Sequence, residues 1–274
     1  MRTLVHLSDI HFGRVDETIL PPLIAQIHEI HPDVVAVSGD LTQRARTREF
    51  LEARAFLRAL PQPQIVVPGN HDVPLHNVYA RFRRALEVYR QYITEDLEPF
   101  YADTEIAIAG SNTARSLTWK GGRISQVQVS RIAERMCSLG PDVTKILVTH
   151  HPFDLPENYK ARSLVGRAAM AMERLLSCGV DLLLAGHMHL SHTGHTALRY
   201  KIGGHSAIFV QAGTLSMRGR GEANAFNVVR IEDRVIEVRR MSWRPESGAF
   251  MEASREKFER SPEGWARTGQ PAAS

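Results

Sequence analysis

The chain has 274 residues, 43% of them hydrophobic, which indicates one large globular domain or one domain with a small appendage. Its apolar runs are strand-sized, far below the ~18 residues that a membrane-spanning helix needs. The formal net charge of +4 fits an anionic substrate. The arginines are spread along the chain, so dedicated nucleic-acid binding is possible but not favoured.

The predicted strands and helices alternate over most of the chain. Strands are predicted at residues 4–8, 34–38, 65–68, 106–111, 146–149, 182–185, 208–212, 226–231 and 235–241. Helices are predicted at residues 18–31, 47–60, 77–93, 125–139 and 164–178. The alternation predicts an α/β fold with a parallel core. The last strands have no helices between them, which predicts a second, partly antiparallel sheet.

Both ends of the chain and its two cysteines give weaker indications. Asp9 interrupts the N-terminal apolar run too early for a signal peptide, so we expect a cytoplasmic protein. Cys137 and Cys178 are expected to be small buried hydrophobes rather than a disulfide, in agreement with a reducing compartment. Residues 252–274 are charged and contain Ser, Pro, Gly and Ala, and we expect a tail that is flexible or ordered by a partner.

Five short segments carry metal-binding side chains, and nearly every one directly follows an apolar, β-branched run. They are Asp9-Ile10-His11, Gly39-Asp40, Gly69-Asn70-His71-Asp72, His150-His151 and Gly186-His187-Met188-His189. The carboxyl ends of parallel strands are where open α/β sheets build their sites. The sequence therefore predicts a metal site that these segments share.

The types of candidate ligand indicate the kind of metal site. The candidates are Asp9, His11, Asp40, Asn70, His150, His187 and His189. Imidazole ligands suit iron, zinc, manganese or nickel, whereas an all-oxygen set would suit calcium or magnesium. Seven ligands are too many for one structural zinc, which is closed by four. They suit two ions that share a bridging carboxylate, a pair that stabilises both oxygens of an in-line displacement at phosphorus.

The five segments, in the form D-x-H, GD, GNHD, HH and GHxH, resemble the calcineurin-like metallophosphoesterase superfamily. Their form is most similar to the bacterial class III cyclic-nucleotide phosphodiesterase branch. The matching motifs span residues 9 to 189, most of the chain. The resemblance implies a four-layer αββα sandwich of two mixed sheets flanked by helices, here over residues 1–251. It also leaves a homodimer open, because related proteins often dimerise.

The resemblance also implies a role for each site residue. Asp9, His11 and His189 would hold the first metal, and Asn70, His150 and His187 the second, with Asp40 bridging both. Manganese, iron or zinc would be the ions. His71 would face the phosphate and could donate to the leaving oxygen, and Asp72 would orient His71 by a hydrogen bond. For His151, a role in supporting the metal ligands and a purely structural role both stay open. His192 and His195 are expected near the mouth, without binding metal.

These roles predict a phosphodiesterase in which a metal-bridging hydroxide attacks phosphorus. Cyclic nucleotides or other small phosphodiesters are the favoured substrates. The arginines Arg14, Arg44, Arg81, Arg162 and Arg218 are candidates to meet substrate. Three alternatives stay open: a nuclease, a pyrophosphate hydrolase acting on a nucleotide-sugar lipid, and a non-catalytic scaffold. A protein phosphatase is a weaker option.

Overall fold

The computed structural model describes residues 1–74, 83–116, 118, 121–156, 159, 163–196, 199–200, 205–219, 221–261 and 264–268. Its strands are β1 Arg2–Leu7, β2 Val34–Val37, β3 Gln64–Val66, β4 Phe100–Ala102, β5 Ile106–Ser111, β6 Thr144–Thr149, β7 Val180–Ala185, β8 His192–His195, β9 Ile208–Gln211, β10 Ala225–Glu232, β11 Val235–Arg244, β12 Ala249–Ser261 and β13 Gly264–Thr268. Its α-helices are α1 Leu20–Ile30, α2 Thr47–Arg58, α3 Glu87–Tyr92, α4 Gln126–Cys137 and α5 Ala168–Ser177. Two 3-10 turns cover Glu17–Ile19 and Asn70–Asp72.

The strands form two mixed sheets. The first sheet has the order β13-β12-β11-β10-β1-β2-β3, and the second has the order β4-β5-β6-β7-β9-β8. Strands β1, β2 and β3 pair in parallel, as do β5, β6, β7 and β9. Strands β10 to β13 add to the first sheet as an antiparallel meander. The parallel pairing of these strands agrees with the alternation of strands and helices along the chain, because parallel neighbours need crossover connections.

Three hydrophobic clusters separate four layers. One cluster lies between the sheets and includes Leu4 and Val34 of the first sheet with Ile146 and Leu184 of the second. A second cluster packs α1 and α2 on the outer face of the first sheet. A third packs α4 and α5 on the outer face of the second sheet. Alternate residues of each strand therefore enter different layers, and both faces are apolar. The predicted αββα sandwich is confirmed.

The helix boundaries follow local signals. Pro21 and Pro22 open α1, where the missing N–H groups cost nothing. Ser125 caps α4 by accepting from the Gln128 N–H, and the Gln128 side chain returns the bond as a capping box. The first part of the helix predicted at 77–93 and the candidates Arg81 and Arg162 lie outside the described residues.

The expected C-terminal tail is wrong for residues 252–261 and 264–268. These residues belong to β12 and β13, and β12 runs across the predicted boundary at residue 251. Phe258 and Trp265 are buried between the two sheets. Trp265 Nε1 also donates to Asp181 Oδ1 at 2.9 Å. The charged residues that suggested a tail are exposed or half-buried along β12, and only Phe250 and Phe258 of this strand are buried.

The prediction of two unpaired cysteines is also wrong. Cys137, the last residue of α4, forms a disulfide with Cys178, which directly follows α5. The two helices lie side by side on the outer face of the second sheet, so the bond ties two elements that the core already packs together. The cysteines therefore give no support to a reducing compartment. Among the described residues, no helix is long and apolar enough to span a membrane.

Candidate metal centre

The structure brings all seven predicted ligands to the carboxyl ends of neighbouring strands. Their ligand atoms form two groups, and the atoms of each group lie within 4.8 Å of one another. The first group holds Asp9, His11, Asp40 and His189, and the second holds His150, His151 and His187. Asn70 adds its Oδ1 to the second group, 3.1 Å from His150 Nε2 and 3.0 Å from His187 Nδ1. The segments come from both sheets, so the sandwich itself assembles the site.

The first group converges on the space next to Asp9 Oδ1. His189 Nε2 lies 3.1 Å from this oxygen, and His11 Nε2 lies 3.6 Å from it. The two imidazole nitrogens are 3.2 Å apart. Asp9 Oδ2 is held in place because it accepts from Ser8 Oγ at 2.6 Å and from His187 N at 2.9 Å. One oxygen of Asp9 is thus fixed, and the other faces the imidazoles.

Asp40 lies between the two groups. Its Oδ1 accepts from His71 N at 2.8 Å. Its Oδ2 lies 3.7 Å from His11 Nε2 in the first group and 3.4 Å from His150 Nε2 in the second. The oxygen of Asp40 that faces both groups is therefore Oδ2.

Backbone carbonyls fix the tautomers of three histidines. His11 Nδ1–H donates to Thr42 O at 3.3 Å, and His150 Nδ1–H donates to Ser38 O at 2.8 Å. His189 Nδ1–H donates to Arg218 O at 3.3 Å. In the neutral rings each Nε2 then carries a lone pair that points into the site, which is the state a metal ligand needs.

These side chains fit a pair of cations. Asp9 Oδ1 is buried and accepts no well-formed hydrogen bond from any described residue. The lone pairs of His11 and His189 face each other at 3.2 Å, and His187 Nδ1 lies 3.3 Å from His150 Nε2. Without positive charge, such an arrangement is repulsive and leaves a buried carboxylate oxygen unsatisfied. A cation in each group would resolve both problems.

Strained backbone is concentrated at the same residues. Nine non-glycine residues in the described part of the chain have positive φ, and five of them are predicted ligands: Asp9, His11, Asp40, His187 and His189. Such conformations are uncommon and persist at sites where the surroundings enforce them. Gly69 and Gly186 allow the close approach of the strands, because an added Cβ would lie 2.1 Å from Asp40 Oδ1 and 1.8 Å from Ser8 Oγ.

The carboxylates and imidazoles of the site shift one another's pKa values. Burial opposes ionisation of Asp40, but the His150 imidazole and its neighbours outweigh burial and hold the pKa of Asp40 well below its ordinary value. In the same way, burial opposes protonation of His150, yet Asp40 raises the pKa of His150 to about 9. Burial, with His150 next to it, lowers the pKa of His187 to about 4. In the absence of a cation, a proton on His150 therefore compensates the carboxylates.

His71 and Arg218 face each other beside the two groups. His71 Nδ1 donates to Gln43 O at 2.9 Å, and its Nε2 accepts from Arg218 Nη1 at 3.1 Å. Burial lowers the pKa of His71, in agreement with a neutral ring. Arg218 touches the site twice, since its carbonyl also accepts from His189. The sequence offered it only as one of five candidate arginines, and no local motif distinguishes it.

The expected hydrogen bond from Asp72 to His71 is wrong. The oxygens of Asp72 accept from Leu41 N, Thr42 N, Thr42 Oγ1 and Gly69 N at 2.8 to 3.2 Å. Asp72 thus joins the turn that carries Asn70 to the segment after Asp40. Burial, followed by the charge of Asp40, raises the pKa of Asp72 to about 6. Gln43 O takes the place that was expected for Asp72 at the His71 ring.

The remaining candidate histidines and arginines differ in how close they lie to the two groups of ligand atoms. His151 is buried, its Nδ1 lies 2.8 Å from Thr113 Oγ1, and its ring packs against those of His150 and His187. His192 and His195 lie in β8, just beyond the site, and neither belongs to a metal-binding group. Arg14 and Arg44 are exposed, and no contact of either side chain with the two groups is found in the described part of the chain.

Known proteins share both the sequence pattern and the fold. The sequence model of the calcineurin-like phosphoesterase family matches residues 2–191. The chain is 34% identical over 80 residues to glycerophosphodiester phosphodiesterase GpdQ of Enterobacter lignolyticus, which covers 25% of this chain and 29% of that protein. It is 24% identical over 202 residues to a probable cyclic nucleotide phosphodiesterase of Rhodopseudomonas palustris, which covers 69% of this chain and 72% of the relative.

Among solved structures, a purple acid phosphatase from yellow lupin seeds superimposes with a TM-score of 0.69 at 12% identity. The match covers 100% of this chain but 57% of that one, and at this identity it shows the fold alone. The names of the two curated relatives support the bacterial phosphodiesterase-like branch that the motifs predicted. Because the family model spans more than half of the sequence, this chain belongs to the calcineurin-like phosphoesterase family.

Proposed function

We propose that the chain is a phosphodiesterase that depends on two metal ions. Asp9, His11 and His189 would hold one ion, and the other would be held by Asn70, His150 and His187. Asp40 Oδ2 would be shared. The observation that carries the proposal is the position of this oxygen, 3.7 Å from His11 Nε2 and 3.4 Å from His150 Nε2, between two groups of inward-facing ligand atoms.

Bound cations of this kind lower the pKa of water and withdraw charge from a phosphate, which is the chemistry they would supply here. The protein would supply orientation. The carbonyls of Ser38, Thr42 and Arg218 hold three imidazoles in the ligand tautomer. The hydrogen bonds to Asp9 Oδ2 and Asp40 Oδ1 leave one oxygen of each carboxylate directed inward. Such supporting contacts typically contribute 10–100-fold in metal affinity or activity.

His71 and Arg218 are the proposed contacts to the phosphate. A guanidinium binds phosphate oxygens well and keeps its charge at any working pH. In the present arrangement His71 Nε2 accepts a hydrogen bond and has no proton to give. We therefore propose that His71 acts through Arg218, by holding the guanidinium at the site, in place of the general-acid role first expected.

The favoured substrates are small phosphodiesters, which include cyclic nucleotides and glycerophosphodiesters. The motif form and the names of the two curated relatives support this choice. A nuclease and a pyrophosphate hydrolase acting on a nucleotide-sugar lipid are the alternatives. A scaffold without activity would have no need for the complete ligand set. A cytoplasmic location and a homodimer stay predictions.

A substrate panel tests the proposal. The metal-free protein would be supplied with Mn²⁺ and assayed on 3′,5′- and 2′,3′-cyclic nucleotides, glycerophosphodiesters, single-stranded DNA and a nucleotide-sugar lipid. We expect turnover of at least one small phosphodiester, abolished by a chelator and restored by Mn²⁺. Turnover of DNA alone would favour the nuclease, and turnover of the lipid alone would favour the pyrophosphate hydrolase. No hydrolysis of any substrate by the metal-loaded protein would contradict the proposal.

A further inference from the structure

His6 is a polar residue in the apolar layer between the two sheets. It lies on β1, and its side chain is fully buried. Leu4, two residues earlier on the same face of the strand, belongs to the hydrophobic cluster between the sheets. A buried ring nitrogen costs free energy unless it has a hydrogen-bond partner, and an apolar side chain would fill this position without that cost. The polar contacts of His6 therefore require a physical reason.

The two ring nitrogens of His6 have different partners. His6 Nε2 lies 2.9 Å from Ser38 Oγ, and His6 Nδ1 lies 3.5 Å from Asn227 Nδ2. An amide nitrogen can only donate, so Nδ1 accepts, and the proton of the neutral ring is on Nε2 and is donated to the Ser38 hydroxyl. Burial lowers the pKa of His6 to about 3, so the ring is neutral near pH 7. Asn227 Nδ2 also donates to Gln211 O of the second sheet at 3.4 Å, which fixes the orientation of the amide.

Ser38 connects His6 with both groups of ligand atoms. Its carbonyl accepts from His150 Nδ1 of the second group at 2.8 Å. Ser8 Oγ lies 3.2 Å from the same carbonyl and donates to Asp9 Oδ2 of the first group at 2.6 Å. The Ser38 carbonyl is thus in direct contact with one predicted ligand and reaches another through one hydroxyl.

The backbone that follows Ser38 is strained, so the direction of this carbonyl needs support. Gly39 and Asp40 have φ of 88° and 52°, in the left-handed region. The Ser38 N–H donates to Leu7 O at 2.9 Å, and Ser38 Oγ lies 3.4 Å from the same oxygen. The hydrogen bond from His6 holds the Ser38 hydroxyl from the other side. Ser38 is therefore fixed through both its backbone and its side chain, directly before the turn to Asp40.

We propose that His6 is a positioning residue for the candidate metal centre. Its neutral ring holds the Ser38 hydroxyl, and the Ser38 carbonyl then orients the His150 ring and, through Ser8, the Asp9 carboxylate. The inference rests on the proposed function, because it requires that the site binds metal ions. A purely structural role of His6 would stabilise the fold and leave the metal affinity unchanged.

Calorimetric titration of the full-length, metal-free protein with Mn²⁺ tests the proposal. His6→Leu fills the space without a donor, whereas the amide nitrogen of His6→Gln can still donate to Ser38 Oγ. We expect Mn²⁺ affinity to fall about tenfold in His6→Leu, the lower end of the effect of supporting contacts, and to stay within about threefold of wild type in His6→Gln.

The control is His205→Leu. This change removes a half-buried histidine that lies 3.1 Å from Val180 O, at the start of β7 and away from the candidate site. Mn²⁺ affinity should stay within about twofold of wild type, because distant sites act independently. Thermal unfolding of every variant would set a titration temperature at which all of them are folded. If His6→Leu does not fold, Ser38→Ala replaces it, since it removes the accepting hydroxyl but keeps the carbonyl, and should also lower Mn²⁺ affinity about tenfold.

Two results would overturn the proposal. One is unchanged Mn²⁺ affinity in the folded variant that lacks the hydrogen bond between His6 and Ser38. The other is an equal loss in His6→Leu and His6→Gln, which would trace the loss to disturbed packing. If wild type binds no Mn²⁺, the proposed function fails as well. If wild type binds Mn²⁺ and hydrolyses a phosphodiester while His6→Leu binds Mn²⁺ equally well, only the positioning role fails.

Discussion

Strand β7 carries a buried charged site at each end, and the two sites are built differently. Near its start, Asp181 accepts from Lys145 N and Trp265 Nε1, both at 2.9 Å, and Arg260 Nη2 lies 3.5 Å from Asp181 Oδ1. Beyond its end, the candidate metal centre leaves Asp9 Oδ1 without a well-formed hydrogen bond and directs imidazole lone pairs at one another. Both carboxylates are fully buried.

The two ends of β7 differ in whether the protein itself supplies hydrogen-bond partners for the buried carboxylate. At the amino end of β7, the protein itself satisfies the carboxylate, and β13 is held to the second sheet as a result. At the carboxyl end, five candidate ligands adopt positive φ and the charge is compensated only by a proton or a cation. The candidate site at the carboxyl end of β7 thus combines incompletely paired buried polar groups with positive-φ backbone, a combination that is typical of functional sites.

Substitution of Asp40 by alanine should have the largest effect on activity, while the protein stays folded. The shared carboxylate would be lost to both ions, and metal-ion catalysis supplies several kcal/mol, so kcat/KM should fall about 10³-fold or more. Steady-state hydrolysis and circular dichroism would measure the two properties. Asp142→Ala, an exposed aspartate, is the matched control. Activity that survives in Asp40→Ala would refute the assignment of Asp40.

Substitution of Asp181 by alanine should give the opposite profile. Lys145 N and Trp265 Nε1 would lose their acceptor, at a cost of about 1–3 kcal/mol for each buried group, so the free energy of unfolding should fall by about 2–6 kcal/mol. Urea denaturation would measure the loss, again against Asp142→Ala. The folded variant should keep kcat/KM within twofold. A large loss of activity without a loss of stability would remove the distinction between the two ends.

Replacing Arg218 by methionine tests the part of the metal centre that the sequence did not single out. The variant keeps the backbone carbonyl that holds His189 but loses the guanidinium beside His71, so kcat/KM should fall about 10–100-fold. Metal affinity should change less than threefold, because no metal ligand is altered. Arg44→Met, at an exposed arginine, is the control. Equal activity in both variants would exclude Arg218 from phosphate binding.

The pH dependence of metal affinity gives the smallest and most specific test. His150, with a pKa of about 9 in the metal-free protein, must lose its proton to bind, so Mn²⁺ affinity should rise about tenfold per pH unit up to about pH 9. The raised pKa also stabilises the metal-free fold below about pH 6.5, and this stabilisation is lost as pH rises through about 9. Calorimetry in two buffers would count the released proton. Affinity that is independent of pH would contradict the coupling.

Much of the fold and most of the candidate site followed from local sequence patterns. The seven ligand candidates lie in five short segments, nearly all of which directly follow an apolar run, and the carboxyl ends of parallel strands meet at one edge of a sheet. The helices and the parallel core followed from alternation and apolar periodicity. These signals are local, and the five segments that carry them lie between Asp9 and His189.

The missed features depend on contacts between distant parts of the chain. Arg218 meets His71 across 147 residues, and Cys137 meets Cys178 across 41. Strand β12 resembles a tail in sequence because many of its side chains are charged and only Phe250 and Phe258 are buried. Asp72 was assigned to His71 because the two are neighbours in sequence, but its oxygens bond to the segment after Asp40 instead.

Anomalous diffraction from crystals soaked in Mn²⁺ would test the central claim most directly. We expect two peaks, about 3.5–4 Å apart, one next to Asp9, His11 and His189 and one next to Asn70, His150 and His187, with Asp40 Oδ2 between them. A single peak at saturating Mn²⁺, or peaks away from these residues, would contradict it.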